Sequence, residues 1–335
     1  MEVEKLNEVQ KAAYELMQAD ARFLYTLTDI PQSTKNINSN YICMCLPYIG
    51  LFAEGAEQWC KKVGLDAPRF NSEEKAFYTQ IRQGHKLFEK SYNDYMTHLS
   101  EKFLESNNYF YSIRRLREII LGYYNVGTDL CNGKFCGNTI LCLMYIPVKT
   151  LGNHDVGPWI SGMSVVAGKL TAYLGGKDLL PYRYDNSFTA KYKDYHFYKD
   201  SPLKMNNEFG FLLFSILCSI NYVIEFIENY FTEEIPQKFK FAYLQYYYLC
   251  GFVKEINAAN NTEFYINDCL CDREFRNCLA HYGLGQVMNK SDLISDDILM
   301  GLTNKIFGKD YMTIKAELYK ILKELVAQIN FEILK

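Results

Sequence analysis

Apolar residues recur at steps of three and four along much of this chain, the spacing of one face of an α-helix. The clearest stripe runs through 312–334 and consists of Ile314, Leu318, Ile321, Leu322, Leu325 and Ile329. In the first half, this spacing and cap-like sequences such as NSEE predict helices over 3–27, 39–63, 72–105 and 110–125. In the last third, it predicts helices over 207–231, 236–258, 266–282 and 312–334. The sequence therefore predicts a mainly α-helical protein.

Between 126 and 206, stretches rich in Gly, Pro and Asn interrupt this pattern. NTILCLMYIPV (138–148) favours a strand, and PWISGMSVVAGKLTAYL (158–174) favours a helix. We expect three regions, namely a helical amino-terminal region (1–130), an irregular or β-containing accessory region (131–205) and a carboxy-terminal region (206–335). Because short loops join most of the last four helices, we expect residues 206–335 to form an antiparallel four-helix bundle.

Composition limits the classes of protein to consider. With 335 residues, 49% hydrophobic and 22% charged, the chain is that of a folded soluble protein of one large or two moderate domains. A net charge of −3 argues against a general nucleic-acid coat but leaves room for a local groove. The eleven cysteines are scattered and the start lacks an apolar signal core, which favours a reducing cytoplasm. The apolar run 209–224 is shorter than a bilayer span needs, so a buried core helix is expected and no membrane contact.

The segment FRNCLAHYG (275–283) places an arginine, an amide and a histidine on a helix. At about 100° per residue, its residues fall on two arcs. The apolar arc holds Phe275, Cys278, Leu279 and Tyr282, and the other holds Arg273, Arg276, Asn277, Ala280 and His281. The apolar arc can pack into a bundle, which leaves the polar arc for chemistry.

Within the polar arc, Asn277 lies one turn before His281 and can orient its imidazole ring. Arg276 lies about 140° around the helix from His281, so a complete site is expected to need a second copy of the helix. The small Ala280 would let another helix approach closely. Gly283 and Gly285 predict a helix stop, and at that end the helix dipole favours a protonated imidazole, hence a proton donor.

RNCLAH (276–281) resembles the R-x4-H motif of the HEPN superfamily, including the Asn after the Arg. This resemblance covers 206–335 and implies a helical bundle that pairs as a homodimer, with a metal-independent endoribonuclease site between the two copies. It implies toxin, abortive-infection or antiviral-defence roles, with an RNA substrate, no cofactor or metal, and an antitoxin or sensor protein as a further partner. Some toxin members carry a tyrosine two residues after the His, where this chain has Gly283, so regulation through that tyrosine is not expected.

The resemblance also implies roles for individual residues. His281 would act as general base or general acid, and Arg276 would stabilise charge on the phosphoryl oxygens. Asn277 would orient His281 or bind phosphate, and Arg273 and Tyr282 would contact the substrate. The products would carry 2′,3′-cyclic phosphate and 5′-hydroxyl ends.

The same residues also admit a non-catalytic interpretation. Arg276 could pair with Glu274 or Asp272 while His281 caps helix carbonyls, in a scaffold that dimerises or binds a nucleotide or a protein partner. The 12 basic and 17 acidic residues of 206–335 favour this alternative.

Three weaker candidates lie elsewhere. Cys131, Cys136 and Cys142 with His154 allow a zinc site, although buried thiols are the preferred interpretation because structural zinc ligands are usually spaced more tightly. PYRYDNSFTAKYKDYHFYK (181–199) alternates aromatic and basic residues and could contact RNA, but a hairpin packed on the bundle is favoured. SIRRLRE (112–118) is more typical of a solvated helix face.

Overall fold

The computed structural model describes residues 3–37, 39–109, 116, 120, 125–145, 156–197, 200–283, 288–295 and 297–335. The described chain is mainly helical with one small sheet, as the sequence predicts.

The amino-terminal region contains five α-helices within the described residues, and two of them begin at a capping box. They are α1 (Glu8–Ser33), α2 (Ser39–Cys43), α3 (Leu46–Val63), α4 (Ser72–Arg82) and α5 (Tyr92–Tyr109). Asn7 and Asn71 each start a helix with a reciprocal capping box, in which the amide oxygen accepts from the backbone N–H three residues later. The helix predicted over 72–105 is interrupted by a 3-10 segment, Gln83–Glu89. The helix predicted over 110–125 falls mostly outside the described residues.

The middle of the chain holds the sheet. It consists of β1 (Asn125–Cys131), β2 (Lys134–Asn138) and β3 (Lys191–His196), antiparallel and in the order β2-β1-β3. Within the described residues, two helices lie between β2 and β3, namely α6 (Thr139–Tyr145) and α7 (Val156–Leu174). The helix prediction for 158–174 is confirmed, but the strand prediction is wrong over 139–145. There Asn138 starts a helix, and its side-chain oxygen accepts from Leu141 N at 2.7 Å.

The described part of the carboxy-terminal region contains one helix more than predicted. Its helices are α8 (Glu208–Tyr230), α9 (Pro236–Asn260), α10 (Arg273–His281), α11 (Ile298–Phe307) and α12 (Tyr311–Ile333). α10 is shorter than the predicted 266–282 because its N-cap is Asp272. The predicted four-helix bundle is therefore not confirmed for the described part of this region.

α8 is the most apolar helix of the described chain. Its length and composition alone would allow it to cross a membrane, but 94% of its apolar window is buried inside the protein. Burial to this extent is that of a core helix in a soluble protein, as the run 209–224 predicts.

The amino-terminal and carboxy-terminal regions share a hydrophobic core. Phe23 of α1 packs against Phe231 and Phe241, with ring centroids 5.5 and 5.3 Å apart. The domain boundaries at 130 and 205 stay a prediction. Across the predicted boundaries, α1 packs directly against α9 of the carboxy-terminal region.

Gly50 of α3 marks a close helix contact that a small substitution should disturb. A Cβ atom at Gly50 would lie 2.6 Å from the backbone nitrogen of Arg82 and 2.7 Å from the carbonyl oxygen of Tyr78. We expect Gly50→Ala to lower the free energy of unfolding by about 1–3 kcal/mol, because α3 and α4 must separate.

Gly251, on the exposed side of α9, provides the matched control because a Cβ there meets nothing within 4 Å. Gly251→Ala should raise the free energy of unfolding by about 0.5–1 kcal/mol through its helix propensity. Urea unfolding of both variants checks the pair. Effects of the same sign would contradict the close contact between α3 and α4.

Candidate functional site

The helix α10, which carries the R-x4-H motif, is held by its apolar arc. Asp272 caps it by accepting a hydrogen bond from Phe275 N at 2.7 Å. Phe275 is fully buried, and its ring lies 4.5 Å from that of Tyr243 and 4.9 Å from that of Phe307. This anchoring fixes which way the polar arc faces.

The end of α10 differs in one respect from the predicted glycine stop. The first left-handed residue is Tyr282, with φ of 53°, and Gly283 follows with φ of 69°. A left-handed tyrosine needs support from its surroundings. The hydroxyl of Tyr282 donates to Asp20 Oδ2 at 2.5 Å, and Lys240 Nζ forms an ion pair with the same oxygen at 2.5 Å. The side chain is 1% exposed, so its burial does not support the predicted substrate contact and makes Tyr282 a support of the helix end.

Arg276 is partly buried among aromatic rings. Its Nη1 donates to Asn277 Oδ1 at 2.7 Å, and its Nη2 donates to the hydroxyl of Tyr248. Its guanidinium carbon lies 5.4 and 5.1 Å from the ring centroids of Tyr247 and Tyr248. Its Nε is buried without a hydrogen-bond partner in the described chain. Arg276 therefore presents positive charge at its partly exposed guanidinium, while its Nε is a buried donor without an acceptor.

The ion pairs proposed in the non-catalytic interpretation are not found. None of the ion pairs within the described residues joins Arg276 to Glu274 or Asp272. Asp272 instead caps α10, and Glu274 is exposed. A partly buried guanidinium without a carboxylate partner is a favourable place for an anion.

His281 lies in the last turn of α10 and is half-buried. Its Nδ1 is buried and has no hydrogen-bond partner in the described chain. Asn277, which we expected to orient the imidazole, instead accepts from Arg276. Arg273 is exposed at the start of the helix.

The pKa of His281 is shifted in the opposite direction to that expected from the helix dipole. Burial lowers it, and the positive charges of Arg82, Arg276, Lys240 and Lys86 lower it further. The imidazole is therefore neutral near pH 7 and suits a proton acceptor. The prediction of a protonated imidazole in the free protein was wrong, because the dipole is outweighed by burial and by cations from other helices.

The close neighbour that Ala280 admits belongs to the same chain. A Cβ atom at Gly55 of α3 would lie 2.9 Å from the carbonyl oxygen of Ala280 and 3.0 Å from the ring of Tyr282. α3 therefore covers part of the face that the sequence assigned to a second copy, while Arg276, Asn277 and His281 remain partly exposed.

A group of residues from the first half, which sequence reasoning missed, lies beside the motif. The 3-10 segment Gln83–Glu89 packs against α3 and α9, and both of these helices also contact α10. The ring of His85 packs edge-on against Tyr248 at 5.7 Å, and its Nδ1 donates to the carbonyl of Arg82. Burial and the nearby Arg82, Arg276 and Lys86 lower the pKa of His85 to about 3. No local spacing in the sequence signals this approach, because it depends on long-range packing.

The thiols of the zinc candidate are buried and bond to backbone carbonyls. Cys131 donates to Glu225 O at 3.6 Å, Cys136 to Asn221 O at 3.5 Å and Cys142 to Asn40 O at 3.7 Å. The described residues hold no group of three or more side chains suited to a metal ion, and His154 lies outside them. The preferred interpretation, buried thiols, agrees with these contacts.

The two basic segments provide less evidence for a contact with RNA. In 181–199, Tyr182 and Tyr184 pack on Phe231 and Tyr230, and β3 pairs with β1. The first tyrosines of the segment are therefore packed against the protein, whereas Lys191, Lys193 and Tyr192, which is 49% exposed, lie on the open part of β3. SIRRLRE (112–118) lies outside the described residues except for Leu116.

The lowered pKa of His281 predicts a pH dependence. If His281 is the base, kcat/KM for RNA cleavage should fall on acidification with a pKa below the usual value of about 6.5, because neighbouring cations disfavour protonation. Bound RNA phosphate offsets those cations, so the acid limb of kcat should lie at higher pH than that of kcat/KM. Steady-state rates across pH check both limbs. An acid limb of kcat/KM above 6.5 would contradict this electrostatic environment.

No protein-family model, curated protein or solved structure matches this chain. Its functional interpretation therefore depends on the geometry above and on the resemblance carried by residues 276–281.

Proposed function

We propose that this protein is a metal-independent endoribonuclease whose site is built on Arg276 and His281 of α10. One observation carries the proposal. Arg276, partly buried and without a carboxylate partner in the described chain, lies on the same short helix as a neutral, partly exposed His281. An anion-binding group and a proton acceptor are the two functions that cleavage of RNA by its own 2′-hydroxyl needs.

The proposed reaction is a transesterification within the RNA. His281 takes the proton of a ribose 2′-hydroxyl, and the O2′ attacks the adjacent phosphorus. The bond from phosphorus to the 5′-oxygen breaks, and that oxygen takes a proton from water or from an imidazolium that has accepted one. Arg276 donates hydrogen bonds to the phosphoryl oxygens as charge builds on them. The products are a 2′,3′-cyclic phosphate and a 5′-hydroxyl.

The neighbouring residues of α10 receive supporting roles. Asn277 holds the guanidinium of Arg276 by accepting from Nη1, which makes it a positioning residue in this conformation. Arg273 is exposed one turn before Arg276 and can contact a flanking phosphate. Tyr282 fixes the turn after His281 through its bond to Asp20.

The cellular context of the proposal comes from the sequence resemblance. It includes a homodimer that brings two copies of His281 near one RNA, a cytoplasmic toxin or antiviral-defence role, and an antitoxin or sensor partner. A second copy would have to approach beside α3, which already contacts Ala280 and Tyr282.

The direct test is to incubate the full chain with mixed RNA in excess EDTA, beside Arg276→Ala and His281→Ala. We expect fragments with 2′,3′-cyclic phosphate ends from the wild type and none from either variant. Cleavage that persists in both variants would place the activity elsewhere or in a contaminant.

The second candidate function is a non-catalytic scaffold that binds a nucleotide or a protein partner. The partial cover of α10 by α3 and the excess of acidic over basic residues in 206–335 favour it. RNA that stays intact with the wild type, alone and with cell extract added as a source of activator, would support the scaffold.

A further inference from the structure

The first half of the chain brings basic side chains to the candidate site. Arg82 ends α4, and Lys86 follows in the 3-10 segment Gln83–Glu89. Both lie close enough to lower the pKa of His281 and of His85. Their position is fixed by packing, since Tyr248 contacts the ring of His85 and accepts a hydrogen bond from Arg276.

The charges of this group are unevenly neutralised. Arg82 pairs with Glu54 at 2.6 Å, and Lys86 pairs with Glu89 at 2.8 Å. Lys240 is neutralised by Asp20 below the surface. Arg276, between them, has no carboxylate partner in the described chain and keeps a buried Nε without an acceptor. The arrangement therefore has a net positive charge at the partly exposed guanidinium of Arg276, and a bound anion would neutralise it.

We propose that Arg82 and Lys86 complete a phosphate-binding wall with Arg276, so that the amino-terminal region binds the RNA strand directly. This inference rests on the proposed ribonuclease function and extends it from α10 to the 3-10 segment. Arg276 contacts the phosphate at the cleaved bond, and Lys86, 29% exposed, reaches a neighbouring phosphate. Arg82 is 18% exposed and bound to Glu54, so it contributes positive charge to the phosphate-binding wall without contacting the phosphate directly.

Lys86→Ala tests the inference, because this lysine is partly exposed and its loss leaves only the exposed Glu89 without a partner. The probe is a 2′-O-methyl oligoribonucleotide, which the proposed reaction cannot cleave, bound to the full chain at several salt concentrations. We expect Lys86→Ala to weaken binding about three- to tenfold and to reduce the slope of log affinity against log salt by about 0.7.

Lys309→Ala is the matched control. Lys309 also pairs with a glutamate, Glu317, at 2.6 Å, and it follows Phe307, which packs on the apolar arc of α10. Binding by Lys309→Ala should equal that of the wild type. An equal loss of binding affinity in the two variants would mean that only the overall charge matters, and it would overturn the inference. Absence of binding by the wild type would overturn it as well.

A pH profile separates binding from a structural effect. Removing the charge of Lys86 should move the acid limb of kcat/KM to higher pH, since one of the cations that disfavour protonation of His281 is gone. Cleavage of ordinary RNA that depends on His281 would support the ribonuclease proposal. If RNA binding and the pH profile were at the same time unchanged in Lys86→Ala, the proposed phosphate-binding wall would be contradicted. If the wild type cleaves no RNA, either alone or with cell extract added, the ribonuclease proposal itself is contradicted.

Discussion

His281→Ala is expected to lower the rate of RNA cleavage by about 10²–10⁴-fold, the usual contribution of a positioned general base. The expectation follows from the environment of the ring. His281 is neutral near pH 7 because burial and four neighbouring cations lower its pKa, and the residue remains partly exposed. Single-turnover cleavage of a labelled RNA measures the loss.

His98 offers a matched control for this substitution. It too is partly buried, and burial is the main cause of its lowered pKa, but it bonds to the carbonyl of Met144 at 3.3 Å. The charged residues that shift the pKa of His98 are Lys102, Lys90 and Glu101, whereas Arg82, Arg276, Lys240 and Lys86 shift that of His281. His98→Ala should cleave RNA at the wild-type rate. Equal losses in both variants would mean that histidine removal perturbs the fold and would contradict a catalytic role for His281.

Asp20→Ala is expected to lower the free energy of unfolding by about 3–5 kcal/mol, as is usual when one member of a buried ion pair is removed. The side chains of Asp20 and Lys240 are 6% and 3% exposed. Asp20 accepts from Gln237 Nε2 at 2.8 Å as well as from Lys240 and Tyr282. Its loss leaves a buried ammonium and a buried hydroxyl without their acceptor. Urea unfolding, extrapolated to water, measures the effect.

Asp268→Ala is the control for this pair. Asp268 bonds to Lys254 at 3.0 Å, but both side chains are mostly exposed, so the unfolding midpoint should stay with that of the wild type. If Asp20→Ala behaved like Asp268→Ala, the buried network that supports the end of α10 would not contribute to stability. The same network explains how a tyrosine can hold the left-handed position after His281.

The long helices could be predicted because their apolar stripes and caps are local. α8, α9 and α12 agree with the predicted 207–231, 236–258 and 312–334 to within about two residues at each end. Short apolar runs were less informative, since a strand and a buried helix look alike at that length. Thr139–Tyr145 was mistaken for a strand, although Asn138 carries the cap signal. Ile298–Phe307 was missed because Gly301 interrupts it, yet that glycine lets the helix lie against Asp292, whose carbonyl is 2.3 Å from a Cβ there.

The candidate site was predictable only on its own helix. The two arcs of α10 and the partial exposure of Arg276, Asn277 and His281 agree with the sequence interpretation. The direction of the pKa shift of His281 was not predictable, because Arg82, Lys86 and Lys240 come from segments 40 to 200 residues away. The close approach of α3 at Gly55 could not be predicted either. Helix periodicity shows which face of a helix is buried, but it does not show which helix packs against that face.

The two halves of the chain therefore meet at the motif. Tyr248 links Arg276 to His85, and Asp20 links the end of α10 to α1 and α9.

We propose that His281 and Arg276 direct the attack of a ribose 2′-hydroxyl on the adjacent phosphorus of RNA. The most direct test is to map one cleavage site in EDTA and to repeat the reaction with a single 2′-deoxynucleotide 5′ to the cleaved bond. We expect a 2′,3′-cyclic phosphate at the mapped site and no cleavage there after the substitution. Unchanged cleavage of the deoxy-substituted strand, or a 5′-phosphate product, would contradict the proposal.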